Sequence, residues 1–118
     1  PHPVIIRKDG TIDVVGAGGL PIGLIADAGY ETVMAQLFHG DRLLLVSDGI
    51  TECPSTTGEE LGQEGFIALL HRLHDLPSSQ LIEALQWELV TYHGKGEFPD
   101  DVSAIVFDYT GPNAPLNA

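Results

Sequence analysis

Basic residues are scarce. Five Lys plus Arg stand against 17 Asp plus Glu in 118 residues, a formal charge of −12. Phosphate backbones and anionic lipid surfaces repel such a chain, which argues against nucleic acid and membrane as direct partners. Cysteine is nearly missing: the single Cys53 cannot close an internal disulfide or build a zinc site on paired thiols, and it fits a reducing cytoplasm. Long apolar runs are lacking too. The longest aliphatic stretch is Leu43–Val46, against the roughly 20 residues of a membrane-spanning helix. No basic stretch leads into an apolar signal-peptide core. The Gly-x-Ser-x-Gly elbow, the His-Glu-x-x-His helix and the Gly-Lys-Ser/Thr of a P-loop are all absent, so serine hydrolase, zinc protease and P-loop chemistry have no foothold. What is present is ordinary globular composition, 43% hydrophobic and 19% charged, enough for one domain or part of one.

Val4-Ile5-Ile6 and the alternating Thr11–Val15 flank Asp9-Gly10, which predicts a β-hairpin on a type I′ turn. A chain that opens inside a hairpin reads as the later part of a larger domain. Gly16–Leu24 is glycine-rich but fails the dinucleotide fingerprint, because Pro21 stands where the third glycine belongs. It reads as an irregular connection. Tyr30–Phe38 and Arg42–Val46 flank the turn His39-Gly40-Asp41 and predict a second hairpin. Leu43–Val46 has the unbroken apolar character of a strand covered on both faces.

Phe66, Leu69, Leu70 and Leu73 make a helical stripe that ends before Pro77. Ser78 or Ser79 is placed to cap a second helix, in which Leu81, Ile82, Leu85, Leu89 and Tyr92 share a face and Gly94 terminates. Val102–Tyr109 is the last strand, and 110–118 is a loose tail. Four strands, two helices and a strand predict an α+β fold with an antiparallel sheet.

Candidate chemistry rests on carboxylates. Asp48 lies just past the end of strand 42–46, and Asp100-Asp101 just before strand 102–109. If those strands are antiparallel neighbours, the three carboxylates share one rim. Clustered carboxylates need a proton or a cation between them, and an all-oxygen set suits Mg²⁺ or Mn²⁺. Taken alone, Asp-Gly is a common turn and Asp-Asp a common solvated pair. His71 and His74 share a helix flank without a third ligand. His39 and His93 read as exposed, Trp87 as packing, and Cys53 as inert beside Glu52.

The order of these motifs resembles a known family. The hairpin on Asp9-Gly10 is followed by Gly19-Leu20-Pro21-Ile22-Gly23-Leu24. Next comes the block from Gly40 to Glu52, Gly-Asp-Arg-Leu-Leu-Leu-Val-Ser-Asp-Gly-Ile-Thr-Glu, then two helices, then Asp100-Asp101-Val102-Ser103. The pattern is similar to the C-terminal part of the metal-dependent, protein phosphatase 2C-like phosphatases of the bacterial SpoIIE and sigma-regulator type, over residues 1–109. The resemblance implies an antiparallel β-sandwich flanked by helices, here incomplete, with its N-terminal strands absent. It implies two Mg²⁺ or Mn²⁺ ions in the intact domain. Asp48 and Asp100 match metal ligands, with Gly49 and Asp101 in support. The family's bridging Asp and first-metal Asp-Gly belong to earlier strands.

The implied reaction is in-line attack by a metal-activated water on phosphoserine or phosphothreonine. The implied partner is a phosphorylated regulatory protein of the anti-sigma-factor-antagonist type. Three expectations follow: weak metal binding and little turnover by these residues alone, a cytoplasmic location, and a homodimer or swapped assembly through apolar surface left uncovered at Val4–Ile6 and Leu43–Val46. Two other readings keep the fold without the reaction: a partner-docking regulatory module and a metal-independent structural module.

Overall fold

The computed structural model describes residues 2–16, 23–27, 30–96 and 102–112, with the backbone alone for 23–27 and 30–34. Asp100, Asp101 and most of the glycine-rich 16–24 stretch lie outside the described residues. Six strands and three helices are seen there: β1 Val4–Ile6, β2 Ile12–Val14, β3 Gly23–Asp27, β4 Tyr30–Met34, β5 Arg42–Val46, α1 Asp48–Thr51, α2 Gly62–Leu73, α3 Ser78–His93 and β6 Ala104–Asp108. One sheet has the order β2-β1-β5-β6, and β3 pairs with β4 in a second. The expected α+β class and antiparallel pairing are therefore present. Contacts gather into two units, 45–106 and 2–44 with 107–118, whose boundary falls within β5 and β6.

The first hairpin pairs Val4 with Val14 and Ile6 with Ile12. Its turn differs from expectation. Arg7 N–H donates to the Thr11 carbonyl (2.8 Å) and Gly10 N–H to the Arg7 carbonyl (3.0 Å). The loop is thus Lys8-Asp9-Gly10, three residues with Gly10 at φ +91°. A turn followed by a left-handed glycine keeps the strand twist as well as a two-residue turn does. Asp9 also accepts the Thr11 N–H at 2.9 Å.

The expected hairpin between Tyr30–Phe38 and Arg42–Val46 does not form. β4 pairs with β3, Gly23 opposite Met34 through Asp27 opposite Tyr30, so Gly23 and Leu24 belong to a strand and not to an irregular connection. β5 pairs instead with β1, Val4 opposite Leu44 and Ile6 opposite Arg42. Gly23, which has no side chain, opens β3 without an apolar alternation in the sequence to mark it. β1 is thereby internal to its sheet, and Val4, Ile5 and Ile6 are all buried. The expectation that these residues lie uncovered is wrong. On β5 only Leu44 is fully buried; Leu43, Leu45 and Val46 are half-buried, less covered than a two-faced core strand.

The helical unit is built on stripes. Phe66, Leu69 and Leu70 of α2 are buried, as are Leu81, Leu85 and Leu89 of α3, spaced four apart on one face. Each such side chain contributes about 1.5–3 kcal/mol by leaving water. Two details depart from expectation. α3 takes Pro77 as its N-cap with no side-chain cap bond, so neither serine caps it; the Leu81 N–H reaches the Pro77 carbonyl at 2.8 Å. Trp87 is 68% exposed, since residue 87 falls on the face opposite Leu81, Leu85 and Leu89. At the far end Gly94 is left-handed (φ +77°) and donates its N–H to the Val90 carbonyl, as a helix terminator should.

Candidate functional site

β5 and β6 are neighbours in the sheet. At one end Tyr109 N–H donates to the Asp41 carbonyl and Gly40 N–H to the Tyr109 carbonyl, both at 2.9 Å; at the other, Ser47 N–H donates to the Ser103 carbonyl at 2.9 Å. Low numbers meet high ones throughout, so the pair is antiparallel. The end of β5 and the start of β6 therefore share a rim, as the sequence predicts.

Asp48 is the first residue of the four-residue α1 and is exposed; Gly49 is the second. Ile50, fully buried, anchors the turn beneath them. Ser47 holds the N-cap position with extended backbone (φ −82°, ψ 164°), yet its hydroxyl makes no bond to the helix. It accepts the Ser103 N–H at 2.9 Å instead. Ser47 and Ser103 are thus joined twice, once through backbone and once through a side chain. Next to this join Ile50, Ile82, Leu85, Leu89, Val102 and Ala104, with the polar Gln86 and Ser103, line a cleft of about 280 Å³.

Carboxylate oxygen is the donor that hard divalent ions take, so Asp48 has the chemistry for Mg²⁺ or Mn²⁺. Among the described residues no group of three or more His, Cys, Asp and Glu could hold a metal. A complete cation site at this rim needs carboxylates from beyond them, where Asp100 and Asp101 fall. His71 is exposed, and His74 lies beside Asp75, Nδ1 to Oδ1 3.3 Å.

The strands also carry a charge network unseen in the sequence. Asp41 is 3% exposed. Its Oδ2 accepts Arg7 Nη1 and the Phe38 N–H, each at 2.8 Å, and its Oδ1 accepts the Lys8 N–H at 3.1 Å. Arg7 also donates to Asp13 Oδ2 (2.8 Å) and to the Gln36 carbonyl (2.7 Å). Burial alone would raise the Asp41 carboxyl; the Phe38 N–H, the Arg7 guanidinium and the Lys8 N–H outweigh it and hold it below the ordinary value. The network ties the 8–10 loop to the turn that launches β5. No local signal joins residues 34 positions apart in sequence.

His93 is buried, contrary to expectation. Its Nδ1 donates to the Pro54 carbonyl at 3.1 Å, which fixes the proton on that nitrogen. Tyr92 donates to the Glu59 carbonyl (2.9 Å), and Cys53 Sγ lies 3.8 Å from the Leu89 carbonyl. These three contacts fasten the 53–61 turn to α3. Burial pushes the Cys53 thiol up, away from the reactive thiolate, which agrees with the inert reading. The sequence signal for His93 was its place four residues after Leu89 on the apolar stripe.

Comparison with known proteins agrees with this architecture. The profile of the Stage II sporulation protein E (SpoIIE) family matches residues 1–110. Stage II sporulation protein E of Bacillus subtilis is 30% identical over 106 residues, 88% of this chain and 12% of that protein. Phosphoserine phosphatase RsbU of the same organism is 38% identical over 52 residues, 44% of this chain and 16% of that protein. The chain thus spans a small part of the curated relatives it matches. Among solved structures, the SiaA-PP2C domain of Pseudomonas aeruginosa superposes with a TM-score of 0.69 at 19% identity, covering 92% of this chain and 42% of that one. The phosphatase domain of SpoIIE from Bacillus subtilis gives 0.61 at 23% identity, covering 94% and 50%. At these identities the likeness is one of fold.

Proposed function

The chain belongs to the SpoIIE family, and from that premise we propose that it contributes to the metal-dependent hydrolysis of phosphoserine or phosphothreonine on a regulatory protein. The observation that carries the reading is the antiparallel join at Ser47 and Ser103. It sets the residue before Asp48 against the strand that Asp100 and Asp101 precede.

In this reading Asp48 and Asp100 hold a Mg²⁺ or Mn²⁺ ion, and Asp101 lends negative charge beside them. When bound, such ions neutralise phosphoryl charge and supply an activated water. The chain's own part is to hold carboxylates on one rim. α1 begins one residue after the end of β5, so Asp48 is carried by a strand and a short helix whose Ile50 is fully buried. Gly49 leaves the backbone beside Asp48 without a side chain. The substrate we propose is a phosphorylated protein of the anti-sigma-factor-antagonist type; a relative named phosphoserine phosphatase RsbU supports the phosphoserine part of that reading.

The test is Mn²⁺-stimulated release of phosphate from a phosphoserine protein by an intact phosphatase domain containing this chain. Release that chelation abolishes and Mn²⁺ restores is expected. An intact domain that binds its protein partner but releases no phosphate under any Mn²⁺ concentration would favour a docking module instead.

A further inference from the structure

Trp87 is the chain's single tryptophan, and it is 68% exposed. An indole in water forgoes a large apolar burial, and tryptophan is among the residues most enriched where one protein seats another. Trp87 does not stand alone. With Leu76, Gln80, Glu83 and Ala84 it lines an open groove of about 460 Å³. Leu76 comes from the turn between α2 and α3; the others lie on α3, away from its buried Leu81, Leu85 and Leu89. Glu83 is the charged residue of the groove, and it is exposed. Among the described residues its carboxylate takes no cation. The next carboxylate along α3, Glu88, already holds Arg72 at 3.2 Å. Glu83 and Trp87 are four apart on one helix, hence neighbours on its surface.

These features define what can fill the groove. A purely apolar partner would cover Glu83 without a counter-charge, and a desolvated lone carboxylate is costly. An anionic partner meets repulsion from Glu83, from the exposed Asp75 just before Leu76, and from a net charge of −12. A cation answers both objections, and arginine suits the groove best. Its planar guanidinium stacks on an indole face and keeps an N–H edge for a carboxylate, while its methylene stem covers apolar side chains such as Leu76 and Ala84. A second copy of this chain is a poor source. It has five Lys plus Arg, and Arg7 and Arg72 are already in ion pairs.

We propose that the groove at Trp87 and Glu83 is a docking site for an arginine-bearing segment of another protein, with the guanidinium stacked on the indole and paired with Glu83. This goes beyond the phosphatase reading and uses none of its residues.

The test uses an intact domain containing this chain, labelled with fluorotryptophan. In fluorine NMR the resonance missing from Trp87→Phe is that of Trp87. A dissolved nitroxide should broaden it at every protein concentration, and a capped peptide alternating leucine and arginine should shift it saturably and shield it. The same peptide with citrulline, which keeps the shape and loses the charge, should bind at least about tenfold more weakly. A lysine version should bind about threefold more weakly or worse. Glu83→Gln should weaken the arginine peptide about three- to tenfold and leave the citrulline peptide unchanged. Glu64→Gln, the same change of charge outside the groove, should match the parent.

Equal binding of the arginine and citrulline peptides by the parent overturns the proposal, and this comparison needs no variant to fold. So does an equal loss in Glu83→Gln and Glu64→Gln, which would be attraction to the acidic surface at large. An indole already shielded from the nitroxide without peptide also overturns it. Shielding that grows with protein concentration means that a second copy fills the groove; shielding at every concentration means that the rest of the intact domain does. None of these readouts involves phosphate release, so failure here is distinct from failure of the proposed function.

Discussion

Asp41 shows what a single buried carboxylate does for this molecule. It is satisfied by two backbone N–H groups and by Arg7, which is itself held by Asp13. Its folded pKa lies below the ordinary value near 3.9. The unfolded chain therefore binds a proton more readily than the folded one. The stability Asp41 supplies is fully present above about pH 4 and is lost as pH falls through the lower folded value. Asp41→Asn keeps the shape but leaves the guanidinium under-compensated. A loss of about 2–3 kcal/mol is expected at pH 7. Urea unfolding of both proteins between pH 2.5 and 7 checks this: the gap should close on acidification. A gap that stays constant with pH would show that the charge is irrelevant.

At the level of elements, the C-terminus of α3 offers the sharpest test. Gly94 is left-handed, and a Cβ there would run into Thr56 Cγ2. Gly94→Ala should cost about 1–2 kcal/mol from backbone strain, with a steric part added. Thr56→Ala in the same protein should return only the steric part, as a double-mutant cycle in thermal melts would reveal. Full recovery would mean the backbone bears no strain. The elements also show what could be read in advance. α2, α3 and the Gly94 stop were legible because helical stripes and caps are local. β5 and β6 were legible as strands, and their antiparallel pairing was the condition on which the shared rim of carboxylates rested. The β3–β4 hairpin is not legible because Gly16–Leu24 carries no alternation, and the sequence alone therefore sets β5 against Tyr30–Phe38 and not against β1. Among the site residues, Asp48 was legible from its place after a strand. The bond between the Ser47 hydroxyl and the Ser103 N–H and the Asp41 network were not, since each joins residues more than 30 positions apart.

For the whole molecule the governing facts are charge and edges. Within the described sheet β6 lies at one edge, and Ile105 and Phe107 on it are 55% and 51% exposed. An open apolar edge strand pairs readily with another chain. A formal charge of −12 opposes that pairing, and salt screens the repulsion over about 10 Å at 0.1 M. The 118-residue chain is therefore expected to self-associate more strongly as salt rises, and Ile105→Lys to suppress it. Sedimentation velocity across a salt series reads this directly; a monomer at every salt concentration would count against it.

In the proposed reaction Asp48 carries the cation for phosphoester hydrolysis. That role is tested most directly by the Mn²⁺-dependent phosphatase rate of an intact domain bearing Asp48→Asn, with a native melt as the control. The amide keeps the shape and loses the anion, and removing one negative charge relieves repulsion at the rim, so the fold should survive. The expected result is a fall of about a hundredfold or more with an unchanged melt. Asp100→Asn should behave alike, and Asp101→Asn far more mildly. A folded Asp48→Asn domain with the parent's full rate would contradict the assignment.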